Sequence, residues 1–443
     1  MKTMKYVRLI CKAFVLFFVL FYSSVAYSIN QDEIKESFER SYKLSPDGKL
    51  SFEVYDSELK VNVWKNSEVK LAGEIIVSGG EAEDRELLIS AFKNPEVKTG
   101  INSIDINTEF WKSSSSFMGI MTKITLKNGE KVNVKEFKAS YTLWIPESIE
   151  FLLNSKYNNV EIADFSGIFI FDLYDTDIHT GDFVDNSEFK AKYSALILGN
   201  GGNTSFKIYD CNITAQNLKN VEIESKYSTL EFSSVNSLKG ESYDDDFDIK
   251  NLADIRMKAR YSLFLLEGQM GNAVFDLYDT DVKGGSYGSL NWDSKYSELN
   301  AEKVGNVSIS SMYDCILKIN QVDDFTCTES RYDDIYLGTA GNSISMPDAY
   351  DIQLKIDKLS QQFSGFDGDF KYGSVTLITD PALDYKLSCK NIYGSVGYPK
   401  ERFSNNPLIH IEKDSRVQIE GSTDPDAKCE INFTAYDLDF TIK

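Results

Sequence analysis

Tyrosine is the residue type that could do chemistry here, because of how regularly it recurs. Fourteen of them follow one another at 157, 174, 193, 209, 227, 243, 261, 278, 296, 313, 332, 350, 372 and 393. Most gaps are 16–19 residues, and the last two widen to 22 and 21. A row of outward aromatic faces stacks on sugar rings, and Tyr157, Tyr193, Tyr227, Tyr261 and Tyr296 are the candidates for such a row. The competing reading is a structural ladder, in which identical side chains stack on one another along the fold. The ladder is favoured, and the two are compatible if one edge stays exposed.

Acids form the second candidate set: Asp175/Asp177, Asp210, Asp244/Asp245/Asp246, Asp279/Asp281 and Asp314. Such pairs could chelate Ca²⁺ between neighbouring turns of chain. The plainer reading is solvated turn residues beside the lysines Lys156, Lys192, Lys226 and Lys295, so no metal or other cofactor is expected. Clustered carboxylates also serve polysaccharide hydrolases. In a chain this acidic, however, carboxylate pairs occur by chance on any face. The two histidines, His179 and His410, fall in different parts of the pattern, and no nucleophile elbow, phosphate loop or HExxH is present. The expectation is a protein that is not an enzyme.

The elements that carry these residues follow from a second regularity. One set of tyrosines follows a basic or small-basic pair, as in SKYNNVEI (155–162), AKYSALIL (191–198) and SKYSTLEF (225–232). The other precedes aspartate, as in LYDTDI (173–178), IYDCNI (208–213) and LYDTDV (277–282). The true unit is a pair of rungs about 35 residues long, and FDLYDTD recurs identically at 171–177 and 275–281. Apolar residues alternate after each tyrosine, as at Leu196/Leu198 and Leu230/Phe232, which is the period of a strand with one buried face. Turn residues such as GNGGNTS (199–205) punctuate the runs. A repeat this short cannot bury its own apolar face, so its copies must stack. The fold class predicted is all-β: a single-stranded β-solenoid (β-helix) with rungs of 17–18 residues, taken as right-handed. On unbroken strands the register points the first tyrosine set outward and the second inward, because their apolar partners fall at plus three and plus four respectively.

Residues 2–12 carry Lys2, Lys5, Arg8 and Lys12, and an apolar run from Ala13 to Tyr22 follows. With Ala26-Tyr27-Ser28 as a small-x-small site, 1–28 reads as a cleaved signal peptide. Its removal would leave 43 basic and 68 acidic residues, a balance that disfavours nucleic acid and acidic membranes as partners. No later stretch is long and apolar enough to span a bilayer, so the expected location is the periplasm, the cell surface or the medium. Residues 29–150 read as β-rich capping turns, 151–400 as the regular solenoid and 401–443 as closing strands. Within the first of these, Asn30 with Glu33 suggests a brief helix to Tyr42, and 80–94 a second one carrying Leu87, Leu88 and Phe92. Cys211 and Cys315 share one slot of the repeat six rungs apart, roughly 29 Å at strand spacing, too far for a disulfide. They read as buried small apolar residues, while a Cys389–Cys429 bridge stays open.

The segment YTLWIPESIEFLLNSKYNNVEIADFSG (141–167), with KYNNV (156–160), KYGSV (371–375) and IYGSV (392–396), resembles the adhesin-like family of exported bacterial β-solenoid domains related to adhesin-head GIN domains. Most repeats here replace that family's rung glycine with Ser, Asp or Asn. The resemblance implies an exported, Bacteroidota-like protein with no catalytic residues to carry over. Together these readings give an expected role: non-catalytic, multivalent binding or scaffolding through a repetitive Tyr/Asp/Lys surface, with carbohydrate or a surface protein as partner. A polysaccharide lyase or hydrolase on a β-helix, and a purely structural envelope component, are the alternatives.

Overall fold

The computed structural model describes residues 33–117, 121–184, 186–406 and 408–443. The expected signal peptide at 1–28 lies outside the described residues. Among them no helix is long and apolar enough to cross a membrane.

The described residues form two compact units, one of residues 33–38, Gly73–Asn94 and Phe110–Ala139, the other of Glu39–Ala72, Pro95–Glu109 and Ser140–Lys443. In the first, the helix expected near 80–94 spans Ala82–Phe92 and buries Leu88 and Phe92, one helical turn apart. Phe92 meets Phe38 and Phe110 edge-on at 5.3 and 5.6 Å. Trp111–Phe117, Met121–Leu126 and Lys131–Val134 make a three-stranded antiparallel sheet. The brief helix expected through Tyr42 is not formed: Glu33–Lys43 is a strand paired with Glu68–Ser78. A lone capping box is a weak local preference, and strand pairing overrides it.

The second unit is a β-solenoid of stacked parallel coils. Through most of the stack each rung pairs with the rung 17 or 18 residues later, widening to 19–22 near its end: Lys156 lies against Tyr174, Tyr174 against Lys192, Lys192 against Tyr209, Arg331 against Tyr350 and Tyr350 against Lys371. The alternation dictates the core. Phe171, Phe189 and Phe206 sit in register, buried, with ring centroids 5.5 Å apart, while Asp172, Lys190 and Lys207 face outward between them. Burying each such ring stabilises the stack by roughly 1.5–3 kcal/mol.

Two departures from chain order complete the stack. Lys49–Tyr55 and Glu58–Trp64 form a full rung that pairs with the strands Glu150–Lys156 and Asn159–Ile162, about a hundred residues later. On its other side lie Ser103–Asn107 and Ser140–Pro146. At the far end the last strands, Cys429–Tyr436 and Asp439–Ile442, slot between Gly365–Thr379 and the pair Tyr385–Ile392 and Ser395–Gly397. The hairpin Leu408–Lys413/Arg416–Ser422 then covers Tyr385–Ile392 antiparallel. Antiparallel strands thus protect edges that parallel stacking alone would leave open.

Candidate functional site

Sixteen of these rungs turn at a corner of one design. The residue at the turn is left-handed, with φ between 47° and 68°, and it alternates strictly in type along the stack. Tyrosine holds it at 157, 193, 227, 261, 296, 332, 372 and 393, and aspartate at 56, 175, 210, 244, 279, 314, 351 and 437. Its N–H donates to the carbonyl of the preceding position one rung on, as from Tyr157 to Tyr174 (3.0 Å) and from Asp175 to Lys192 (2.9 Å), while at the last corner the Tyr393 N–H donates to the Ser415 carbonyl of the terminal hairpin (2.7 Å). Where aspartate takes the turn, tyrosine is the residue before it. Where tyrosine takes the turn, the residue before it is Lys156, Lys192, Lys226, Arg260, Lys295, Arg331, Lys371 or Ile392.

Both tyrosine sets therefore point outward, which corrects the expectation that the Tyr-Asp set faces inward. The left-handed residue uses up one position without crossing the sheet, so Tyr174 and Asp175 are both exposed and Thr176 is the next to go in. The candidates Tyr157, Tyr193, Tyr227, Tyr261 and Tyr296 lie in one row, 44–47% exposed. Tyr174 and Tyr278 of the other set are 36% exposed.

The two sets interleave into one zigzag ribbon, in stacking order Tyr55, 157, 174, 193, 209, 227, 243, 261, 278, 296, 313, 332, 350, 372, 436 and 393. Successive rings meet edge-to-face, centroids 5.2–5.8 Å apart and planes inclined by 72–83°. That is the preferred arrangement of ring quadrupoles. Tyr55 and Tyr436 were missed by counting along the sequence, because the chain leaves and re-enters the stack around them. Their signal is nonetheless present, in YDSEL (55–59) and YDLDF (436–440), each a Tyr-Asp followed by an apolar residue at plus four.

Charges flank the ribbon with the same strictness. Cations stand on one side at every second rung from Lys156 to Lys371, with Ile392 ending the row, and aspartates stand on the other, each row repeating at roughly 9.6 Å. Among the described residues, Lys156, Lys192, Lys226, Arg260 and Lys295 make no ion pair, nor do Asp175, Asp210, Asp244, Asp279 and Asp314; the tyrosines keep the two rows apart. Arg331 differs, reaching Asp348 at 2.6 Å. Beside the cation row runs a shallow groove of about 680 Å³, bordered by Lys192, Tyr209, Lys226, Tyr243 and Arg260. The phenols of Tyr193, Tyr227, Tyr261 and Tyr296 are pushed above the usual tyrosine range, first by desolvation, then by the neighbouring tyrosines and aspartate.

Just inside the corner runs a buried polar ladder. Backbone N–H groups of Thr176, Ser228, Asp245 and Thr280 donate to Ser194 Oγ (3.1 Å), Asp245 Oδ1 (2.8 Å), Ser262 Oγ (3.2 Å) and Ser297 Oγ (3.1 Å). The side chains thus complete the hydrogen bonding that the sharp turn takes from the backbone. Cys211 and Cys315 occupy this slot, buried as expected but not merely apolar: their thiols donate to the Tyr209 and Tyr313 carbonyls at 3.3 and 3.2 Å. Asp245 is likewise buried here and does not stand in the exposed acid row. Asp333 shares the slot, and burial pushes its carboxyl up to about 6. All five described cysteines are free, and Cys429 pairs with Tyr385, four residues from Cys389 and so roughly 13 Å along the strand, which rules out that bridge.

Among the described residues no group of three or more His, Cys, Asp or Glu is placed to hold a metal ion. His179 lies in the rung strand Asp177–Thr180, and His410 in the terminal hairpin, where its Nδ1 lies 3.1 Å from the Tyr398 hydroxyl. The structure does not bring the two together in the strand pairings.

No family model and no curated protein matches this chain. Among solved structures, a "putative cell adhesion protein" from Clostridium sporogenes aligns over 92% of this chain and 100% of its own at 11% identity, with a TM-score of 0.17. At that score the two folds do not superpose as wholes.

Proposed function

We propose that this protein is an exported, non-catalytic, adhesin-like solenoid that binds multivalently through the tyrosine ribbon and its flanking charges. One observation carries the reading: eight tyrosines occupy left-handed turns. Such a turn costs an L-residue roughly 1–2 kcal/mol and costs glycine almost nothing. Large side chains retained at strained positions point to a use for the side chain. Ring-to-ring contact within the ladder accounts for part of that use, and the exposed portion of each ring is left for a partner. Repetition raises avidity, since a ligand held at one rung meets the same groups two rungs on.

A carbohydrate is the partner whose chemistry fits best, with rings that stack on tyrosine and hydroxyls that bond to aspartate and lysine. The test is a panel of polysaccharides and glycoproteins incubated with the purified chain, with retention and newly formed reducing or unsaturated ends read from the same wells. Retention without cleavage, lost when Tyr193, Tyr227 and Tyr261 are replaced by alanine, is expected. Cleavage would make the protein an enzyme and overturn the proposal.

A further inference from the structure

The ribbon is complementary to itself. Its cations stand along one side and its aspartates along the other, and the tyrosines between them prevent internal neutralisation. We infer that the ribbon is also a docking surface for a second copy of this chain, related by a two-fold axis parallel to the solenoid axis.

Symmetry selects that axis. When two copies face each other and one is rotated by 180° about the stacking direction, sides exchange while the direction along the stack is kept. The cation row of each copy then lies over the aspartate row of the other. Lys192 and Lys226 stand two rungs apart, with Asp210 on the rung between them. Along each edge line, cations of one copy therefore alternate with aspartates of the other at roughly 4.8 Å. In the same arrangement each cation also faces a tyrosine of the partner copy, a position suited to cation–π attraction. Rotation about the perpendicular axis reverses the stack instead and lays cations over cations and acids over acids. Charge thus favours the parallel pair and opposes the antiparallel one.

The size fits as well. Sixteen rungs give a ribbon roughly 70 Å long. At a width of roughly 10 Å it offers roughly 700 Å² per copy, close to the roughly 800 Å² per partner of a standard stable interface. The inference uses the same ribbon as the proposed function but needs no external ligand.

The test is sedimentation equilibrium of the full chain beside two charge-reversed forms. One carries Lys192→Glu, Lys226→Glu and Lys295→Glu, the other Asp210→Lys, Asp244→Lys and Asp279→Lys. All six side chains are exposed, and circular dichroism checks that each form keeps its β spectrum. The wild type is expected to dimerise, and each reversed form to dimerise at least about 100-fold more weakly, since its two rows now carry one sign. An equimolar mixture of the two reversed forms is expected to associate again. Copies labelled at Ser374→Cys with donor or acceptor dye should transfer energy efficiently, because parallel pairing puts both labels at the same end. A monomeric wild type, a mixture that stays dissociated, or label separation of an antiparallel pair would each overturn the inference. A monomer that still retains a polysaccharide would sink the self-docking and leave the proposed function standing.

Discussion

Replacing Tyr157 tests the strained corner directly. Its ring is 45% exposed and touches Tyr55 and Tyr174 at 5.5 and 5.7 Å. A little over half of a tyrosine side chain is roughly 100 Å², so truncation removes roughly 2.5 kcal/mol of burial. Tyr157→Ala loses that and keeps a β-carbon at φ 60°. Tyr157→Gly loses the same ring but is relieved of the left-handed cost of roughly 1–2 kcal/mol, part of which glycine gives back through its freer unfolded chain. Glycine should therefore be the more stable replacement by about 1 kcal/mol, the reverse of its rank in ordinary strands. The readout is hydrogen exchange of the Tyr157 amide, which bonds to the Tyr174 carbonyl at 3.0 Å. A solenoid opens locally, and a global melt would average that away. Exchange should be fastest in the alanine form and about fivefold slower in the glycine form. Equal rates, or a better-protected alanine form, would refute strain at this corner.

Three further outcomes follow from the same structure. Asp333 is buried, and its carboxyl is raised from 3.8 to about 6 in the fold, a difference of roughly 3 kcal/mol. The folded state then binds its proton more tightly, so this stability is full below about pH 4 and is lost as pH rises through 6. Denaturant midpoints should climb on acidification from pH 7 to 5, and Asp333→Asn should flatten that climb; an unchanged slope would remove Asp333 as its source. The raised ladder phenols keep their protons longer in the folded state than in the unfolded one. Absorbance near 295 nm should show them ionising late, with stability falling as pH rises past about 10, and early, simultaneous ionisation of all tyrosines would contradict the packed ladder. Deleting Cys429–Lys443 takes a rung from inside the stack, leaving Gly365–Thr379 and Tyr385–Ile392 each with an unpaired edge. Fast exchange across 365–397 and rising light scattering are expected, whereas a monomeric chain with native protection there would show the rung to be dispensable.

Much of this architecture could be read from the residues alone. Tyrosines mostly 16–19 apart, followed by alternating apolar pairs such as Leu196/Leu198, specify a stack of strands, because such a unit has nowhere else to bury its face. The alternation of Lys-Tyr with Tyr-Asp likewise foreshadows the charged rows. It also holds an unused clue: Tyr372 and Tyr393 are two consecutive tyrosines that lack the following aspartate, so a Tyr-Asp rung is missing between them. Tyr436-Asp437 fills that place from the end of the chain.

The direction of the tyrosines was a different matter. Alternation assigns side chains to faces only while the strand is unbroken, and one left-handed residue per corner shifts the count. The sequence shows an aspartate or a tyrosine there, and neither type announces a positive φ in the way glycine does. Only the stacked neighbours, which accept each corner N–H and hold the next ring against the last, fix that conformation. The residues therefore determined that there would be rungs and what each would carry. The tertiary structure decided which rungs are neighbours and that every tyrosine of the ladder faces solvent, because both depend on hydrogen bonds between residues 16 or more positions apart in the chain.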